Sequence, residues 1–479
     1  MPSTSVATGR KRSPTTVPKQ TNGASTGSKR KAKAIPGAAR SHKRQGAPPN
    51  LNNPPTKRLD VYVFGTNCDG ELGVGGKSEK TEIPRPVLNP NLAADTVGVV
   101  HLAVGGVHSA ALTHDNQILT WGVNDEGALG RDTKPDTTIG PSSGGEYDEV
   151  GAARMNEATP KPVDPLCFPR DTVFTQLAAT GSATFALTAT GSVYGWGTFR
   201  GNSGEIGFSP RSKGQERTPV IVPNLDHVVK ISAGAQHMLA LTSSGTVLSW
   251  GCDEQSQLGR RRTHHGGSHH LIPGECALPS GIVDIGTGEY HSFAIHKTGA
   301  VYGWGSNNYG QTAIFANAGT SDAITVYPSK VQSLKQFPRI TSIQGGKDHS
   351  LAITEAGQCL SWGRIENKAL GIDEKDIPPS DTIIDANGRP RILKVPMVLD
   401  GIHDAVGLGL GTDHSFVITR DGRAYSWGFG IQGQTGQPGD AEEVVHPTLL
   451  SNKHVDGKRL VFAAAGGQFS IVAGEHEAK

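Results

Sequence analysis

The chain has 479 residues, 63 of them glycine, and 35% of it is hydrophobic. It contains no run of about 18 apolar residues, which excludes a helical membrane span, and its opening residues lack the apolar core of a secretory signal, so none is expected. The net charge of +2 hides a division: residues 1–59 hold 13 of the 46 Lys/Arg and no Asp or Glu, which leaves 33 basic against 44 acidic residues in the rest. A polyanion-binding arm on an acidic globular body is the expectation. The five cysteines, Cys68, Cys167, Cys252, Cys276 and Cys359, are widely spaced with no CxxC. A reducing compartment and no disulfide framework follow.

Residues 1–58 are rich in Ser, Thr, Pro, Gly, Ala and Lys/Arg. Such a segment buries too little apolar surface to offset its ordering entropy, so it is expected to be a disordered basic tail. Its charge is clustered at Arg10-Lys11-Arg12, at Lys29-Arg30-Lys31 with Lys33, and at Arg40 with Lys43-Arg44. These clusters suit a nuclear import receptor and DNA phosphates, where each cation displaces a counterion without reading sequence. No aromatic residue interleaves them, so base stacking is not expected.

The body, residues 59–474, is a repeat, followed by a short tail at 475–479. All six tryptophans, Trp121, Trp196, Trp250, Trp304, Trp362 and Trp427, precede glycine, and Phe64-Gly65 is a seventh equivalent. Thirteen residues before each Trp stand His108, Ala183, His237, His291, His349 and His414. Eight residues after those come Asn116, Gly191, Gly245, Gly299, Gly357 and Gly422, the residue types that accept the positive φ of a tight hairpin. Short apolar runs flank each turn, and further runs such as Val228–Ala233 precede each histidine. Pro-bearing segments around Pro219 and Val395-Pro396 suit outer edge strands. Four strands per repeat and seven repeats predict an all-β, seven-bladed propeller. Its seventh blade would be closed by both termini, with Phe469 in the histidine position and Val61–Gly65 as the missing strand.

The runs Asp348-His349-Ser350 and Asp413-His414-Ser415 hold the residue types of a hydrolase triad. Neighbours on a strand point to opposite faces, so they cannot converge on a substrate. Packing and hydrogen bonding are the expected role of these histidines, and covalent catalysis is not expected. The loop Arg260 to His270 holds four histidines without a Cys or carboxylate among them, so no metal and no cofactor is assigned. The insertion 132–165 reads as a mobile surface loop and is assigned no function.

The spacing Gly-Gly-x-His-Ser, hairpin Gly, Trp-Gly and a polar loop ending Leu-Gly, with Asn124-Asp125-Glu126-Gly127-Ala128-Leu129-Gly130-Arg131-Asp132-Thr133, resembles the regulator of chromosome condensation family. The resemblance covers residues 61–473 and implies guanine-nucleotide exchange on a Ran-type GTPase in the nucleus, bound to chromatin. From the glycine of Trp-Gly to the closing glycine position six loops span eight residues, and one, Gly197 to Gly207, spans ten. The family's exchange factors carry a projecting β-wedge there. The wedge is thus expected at Phe199, Arg200, Gly201, Asn202, Ser203, Gly204, Glu205 and Ile206, with Arg200 reaching toward acidic or phosphate-binding groups of the GTPase. The family's GTPase-facing rim maps to Asp69, Ser182, Gln236, Asp348 and Asp413. Here Gly181 and Gln236 replace expected aspartates, Asp348 replaces a histidine, and Cys68 takes another aspartate's place with Asp69 beside it. The resemblance also places Arg261 and Arg262 against the histone acidic patch, where guanidinium groups grip carboxylates bidentately. The alternative is a chromatin-bound propeller adaptor without exchange activity, favoured by the rim substitutions as the ten-residue loop favours exchange.

Overall fold

Each repeat forms an antiparallel sheet of at least four strands, and seven such blades make a β-propeller. The computed structural model describes residues 50–75, 81–134, 149–212, 214–261, 269–316, 318–320, 323–439 and 442–477. The tail cations Arg10, Lys11, Arg12, Lys29, Arg30, Lys31, Lys33, Arg40, Lys43 and Arg44 lie outside the described residues, as do Arg262, His264 and His265. Blade 1 runs Val99–Val104, His108–Thr113, Ile118–Gly122 and Lys161–Pro162, from the channel outward. Blades 2 to 6 repeat that order through Glu443–Leu449. The hairpin between second and third strands turns on Asn116 at φ +68 in blade 1, as its position predicts.

Blade 7 closes the ring two strands against two. Leu460–Ala465 and Phe469–Glu475 are its inner strands, and Leu59–Thr66 and Glu82–Leu88 its outer ones. The register runs from Leu59 opposite Glu475 to Gly65 opposite Phe469. The N-terminal part therefore supplies two strands, one more than expected.

The histidines join neighbouring blades through a relay. His237 Nε2 lies 2.8 Å from Ser292 Oγ of blade 4, that hydroxyl donates to the Gln257 carbonyl at 3.0 Å, and Trp304 Nε1 donates to the same carbonyl at 2.8 Å. With its proton engaged by the carbonyl, the serine oxygen must accept from the ring, so Nε2 carries the hydrogen and Nδ1 is left with a lone pair. Nδ1 of His108, His237, His291 and His414 is indeed buried without a partner. The same link joins His108 to Thr184, His291 to Ser350, His349 to Ser415 and His414 to Ser470. Burial lowers the imidazoles to about 3 for His237, His291 and His414 and about 4 for His108 and His349, so they are neutral. His349 and Ser350 thus serve different seams, as the strand argument required. A glycine three residues before each histidine makes room, because a Cβ at Gly234 or Gly288 would strike the imidazole that follows. Blade 2 has Thr180 and Ala183 at these two positions, and blade 3 has Met238 where the hydroxyl partner belongs. The seam between blades 2 and 3 has no relay of this kind.

Three regions differ from the expectations. Residues 50–58, assigned to the disordered tail, are fastened to the propeller. The N–H groups of Leu51 and Asn52 donate to the Ala189 carbonyl at 2.7 and 3.1 Å, and the Asn52 carboxamide donates to Thr188 of blade 2 and Val228 of blade 3 at 3.0 and 2.9 Å. Hydrogen bonds hold this segment, so its polar composition gave no sign. The insertion 132–165 includes an α-helix, Glu149–Glu157, and Arg131 donates to the Asn156 and Thr159 carbonyls at 2.9 and 3.3 Å. Blade 5 carries a fifth strand, Thr382–Ile384, beside the start of Pro390–Val398, so that strand is not an edge throughout. Pro396 falls where the register shifts between the Gly363–Leu393 and Ser361–Met397 pairs, a place that tolerates a missing N–H.

Candidate functional site

The second strand of a blade begins where its third strand ends, as the His108–Gly122 pair shows, so the residues ahead of the histidines and the loops after Trp-Gly share one face. In every blade the N–H after the Trp-Gly or Phe-Gly pair donates to the rim residue's carbonyl, from Val123 to Val107 at 3.0 Å in blade 1 to Thr66 to Gln468 at 3.0 Å in blade 7. The common loop closes against the next tryptophan. Gly130, at φ +64, sits where a Cβ would lie 2.7 Å from the Trp196 ring. The longer loop of blade 2 instead forms a hairpin, Phe199–Gly201 paired with Gly204–Gly207, with Asn202 and Ser203 at its tip.

Phe199 roots the hairpin. It is 0% exposed and stacks on Phe185 and Phe208, with ring centroids 6.0 and 6.1 Å away, while Trp250 meets Phe185 edge-on at 5.7 Å. Ile206 packs on the same cluster. These rings fill the seam between blades 2 and 3, one of two without the relay, the other being that between blades 7 and 1, where Phe469 stands in the histidine position. The Arg200 N–H donates to Gln236 Oε1 at 2.8 Å, and the Ser182 hydroxyl lies 3.0 Å from that oxygen and 2.9 Å from the Thr198 carbonyl. Ser182 and Gln236 therefore hold the base of the wedge. The Arg200 guanidinium, expected to reach toward a partner, is paired with Glu126 of blade 1's loop. The Asn202 N–H donates to both oxygens of Glu254 from blade 3's loop, each at 2.9 Å. Asn202, Ser203 and Glu205 are exposed.

The other rim residues form a second group. Asp348 and Asp413 are half-buried, and burial, then Asp413, push the Asp348 carboxyl above its ordinary value, opposed by Arg364 at 3.4 Å and by Lys347. Glu289 lies beside them and accepts from the Thr412 hydroxyl at 2.8 Å, and burial raises its carboxyl as well. Asp69 stands apart on blade 7's loop, where its N–H donates to Glu71 at 3.0 Å. Arg261 is exposed and shares a groove of about 800 Å³ with Asn202, Ile206 and Glu254, which puts it on the wedge side of the molecule. Its neighbour Arg260 is a framework residue that donates to the carbonyls of His269, His270 and Ile272 at 3.0–3.2 Å. Sequence reasoning missed Glu126, Glu254, Glu289 and Phe208. For the first two a signal existed: the loops of blades 1 and 3 must flank that of blade 2 in a ring, and each carries a glutamate.

The RCC1-like domain profile matches residues 60–472. Protein pim1 of Schizosaccharomyces pombe is 39% identical over 92% of this chain and 78% of its own length. Guanine nucleotide exchange factor SRM1 of Saccharomyces cerevisiae is 34% identical over 87% of each chain. Among solved structures, Prp20p of Saccharomyces cerevisiae, described with its binding properties to Gsp1p and histones, superposes with a TM-score of 0.81 at 31% identity over 90% of this chain and 94% of that one. Yeast RCC1 (Prp20) bound to Kap60 gives 0.80 at 31% identity over 94% and 97%.

Proposed function

The chain belongs to the RCC1-like, regulator of chromosome condensation family, and from that premise we propose that it is a guanine-nucleotide exchange factor for a Ran-type GTPase, acting on chromatin. The observation that carries the reading is the hairpin of residues 199–207. It occupies the one long loop of seven, and ring closure, which the other six loops achieve without the added residues, does not call for it. No bond is made or broken. The rim binds the GTPase, with Asp348 and Asp413 on one side and Ser182 and Gln236 at the wedge, and the wedge disturbs the GTPase's phosphate loop and Mg²⁺ site. A partner that prefers the nucleotide-free state shifts the equilibrium toward release.

The test replaces residues 198–206 by the shorter loop 123–129. GDP release from Ran should fall roughly 10-fold or more while the propeller stays folded and still binds Ran, since only interactions coupled to release are removed. An unchanged release rate would refute the wedge assignment and turn the test to Asp348 and Asp413, whereas a natural chain that does not speed GDP release from Ran favours the adaptor reading.

Chromatin attachment divides between two basic elements. The tail cations from Arg10 to Arg44 contact DNA phosphates and serve an import receptor, in keeping with the Kap60 complex of the yeast relative. Arg261 and Arg262 take the histone acidic patch. With even six tail contacts, DNA affinity should fall about 10³-fold or more between 50 and 200 mM salt. Ala at Arg261 and Arg262 should weaken nucleosome binding and leave naked-DNA binding unchanged. A shallow salt slope, or equal losses on both ligands, contradicts this division.

A further inference from the structure

The wedge is held from both sides by carboxylates of its neighbours. Glu126 pairs with the Arg200 guanidinium on the first strand, and Glu254 accepts the Asn202 N–H at the tip with both oxygens at 2.9 Å. The second contact is also fixed sterically. A Cβ at Gly201 would meet Oε1, Cδ and Oε2 of Glu254 at 2.5, 3.1 and 3.5 Å, and these are its nearest neighbours. On the return strand Gly204, at φ +108, has open space around its Cβ position. Strands of three and four residues form too short a hairpin to keep one shape in water by themselves. The seam beneath offers no relay to brace them. The fixed points of the wedge are therefore its aromatic root, the Gln236 contact and the two carboxylates.

We propose that Glu254 is a positioning residue for nucleotide release, holding the Asn202 backbone and so the wedge tip in the form that enters the GTPase, with Glu126 steadying the first strand through Arg200. The inference rests on the wedge being the exchange element. A tip already ordered loses less freedom on docking. The effect belongs to the step that the tip drives, so it should appear in the maximal release rate and leave the half-saturating concentration, set by the rim, almost unchanged.

The experiment uses the full chain with GDP-loaded Ran and two readouts, GDP release and hydrogen exchange at the Asn202 amide. Glu254→Ala removes the acceptor, whereas Glu254→Gln keeps the side-chain length and one carbonyl oxygen. Maximal release should fall roughly 10-fold or more in Glu254→Ala and less in Glu254→Gln, with half-saturation within about twofold. Amide protection should fall in the same order. Gly201→Ala should reproduce the loss in the natural background and add nothing to Glu254→Ala, because the carboxylate it would strike is gone. Unchanged Asn202 protection in Glu254→Ala, or additive losses in the double variant, overturns the bracket itself. Lost protection with an undiminished release rate leaves the bracket standing but overturns the wedge reading, and the positioning role with it.

Discussion

At Thr180 and Ala183 blade 2 departs from its neighbours twice, three residues apart, and the two departures are one event. The glycine elsewhere exists to admit the imidazole, so once the histidine is lost a threonine can return. Ala183→His alone should therefore cost about 1–3 kcal/mol from overpacking against Thr180, and adding Thr180→Gly should recover part of it. Recovery stays partial because Met238 offers the new ring no hydroxyl. Urea midpoints of the two variants check this, and simple additivity would contradict the coupling. The histidines, the glycines before them and the serines after them were legible from spacing alone. Which serine each histidine meets was not, because the bond crosses a seam between residues 55 apart at His237–Ser292 and 66 apart at His349–Ser415. Glu126 and Glu254 could be found only through the order of the blades, because a glutamate in a polar loop gains meaning from the blade next door.

Among the elements, the wedge was the most legible because counting exposes it, two residues added to one loop of seven. Its anchoring was not. Phe208 lies beyond the closing glycine, yet it forms one stack with Phe185 and Phe199, its ring 5.8 Å from the first and 6.1 Å from the second. Of the rim, sequence placed Ser182, Gln236, Asp348 and Asp413 on one face, but their division into a pair at the wedge and a half-buried acidic group with Glu289 required the fold. The strand Thr382–Ile384 and the helix Glu149–Glu157 sit in insertions that the repeat does not describe, so periodicity could not find them.

For the molecule as a whole, five buried neutral histidines imply acid lability. In the unfolded chain an imidazole takes up its proton near pH 6.5, whereas His108, His237, His291, His349 and His414 resist it in the fold until about pH 3 to 4. Above pH 6.5 neither state is protonated and nothing is lost. Below it the unfolded chain gains protons that the fold refuses, and stability declines by up to ~1.4 kcal/mol per pH unit for each histidine. Five together would offset the ~5–15 kcal/mol of an ordinary domain within roughly two units. The urea midpoint should drop steeply between pH 6.5 and 4.5, and a flat profile there would mean that the rings are charged or solvated in the fold. The closure of the ring has a mechanical side as well. Leu59–Thr66 and Phe469–Glu475 are antiparallel, with Leu59 opposite Glu475, so tension on both chain ends would peel them apart one rung at a time instead of shearing them together. Leu51 and Asn52 alter where such a load enters. Fastened to Ala189, Thr188 and Val228, they take up a pull arriving from residue 50 before Leu59 feels it. The chain is belayed to blades 2 and 3, and a tug from that side strains the wedge's own seam while the clasp stays slack.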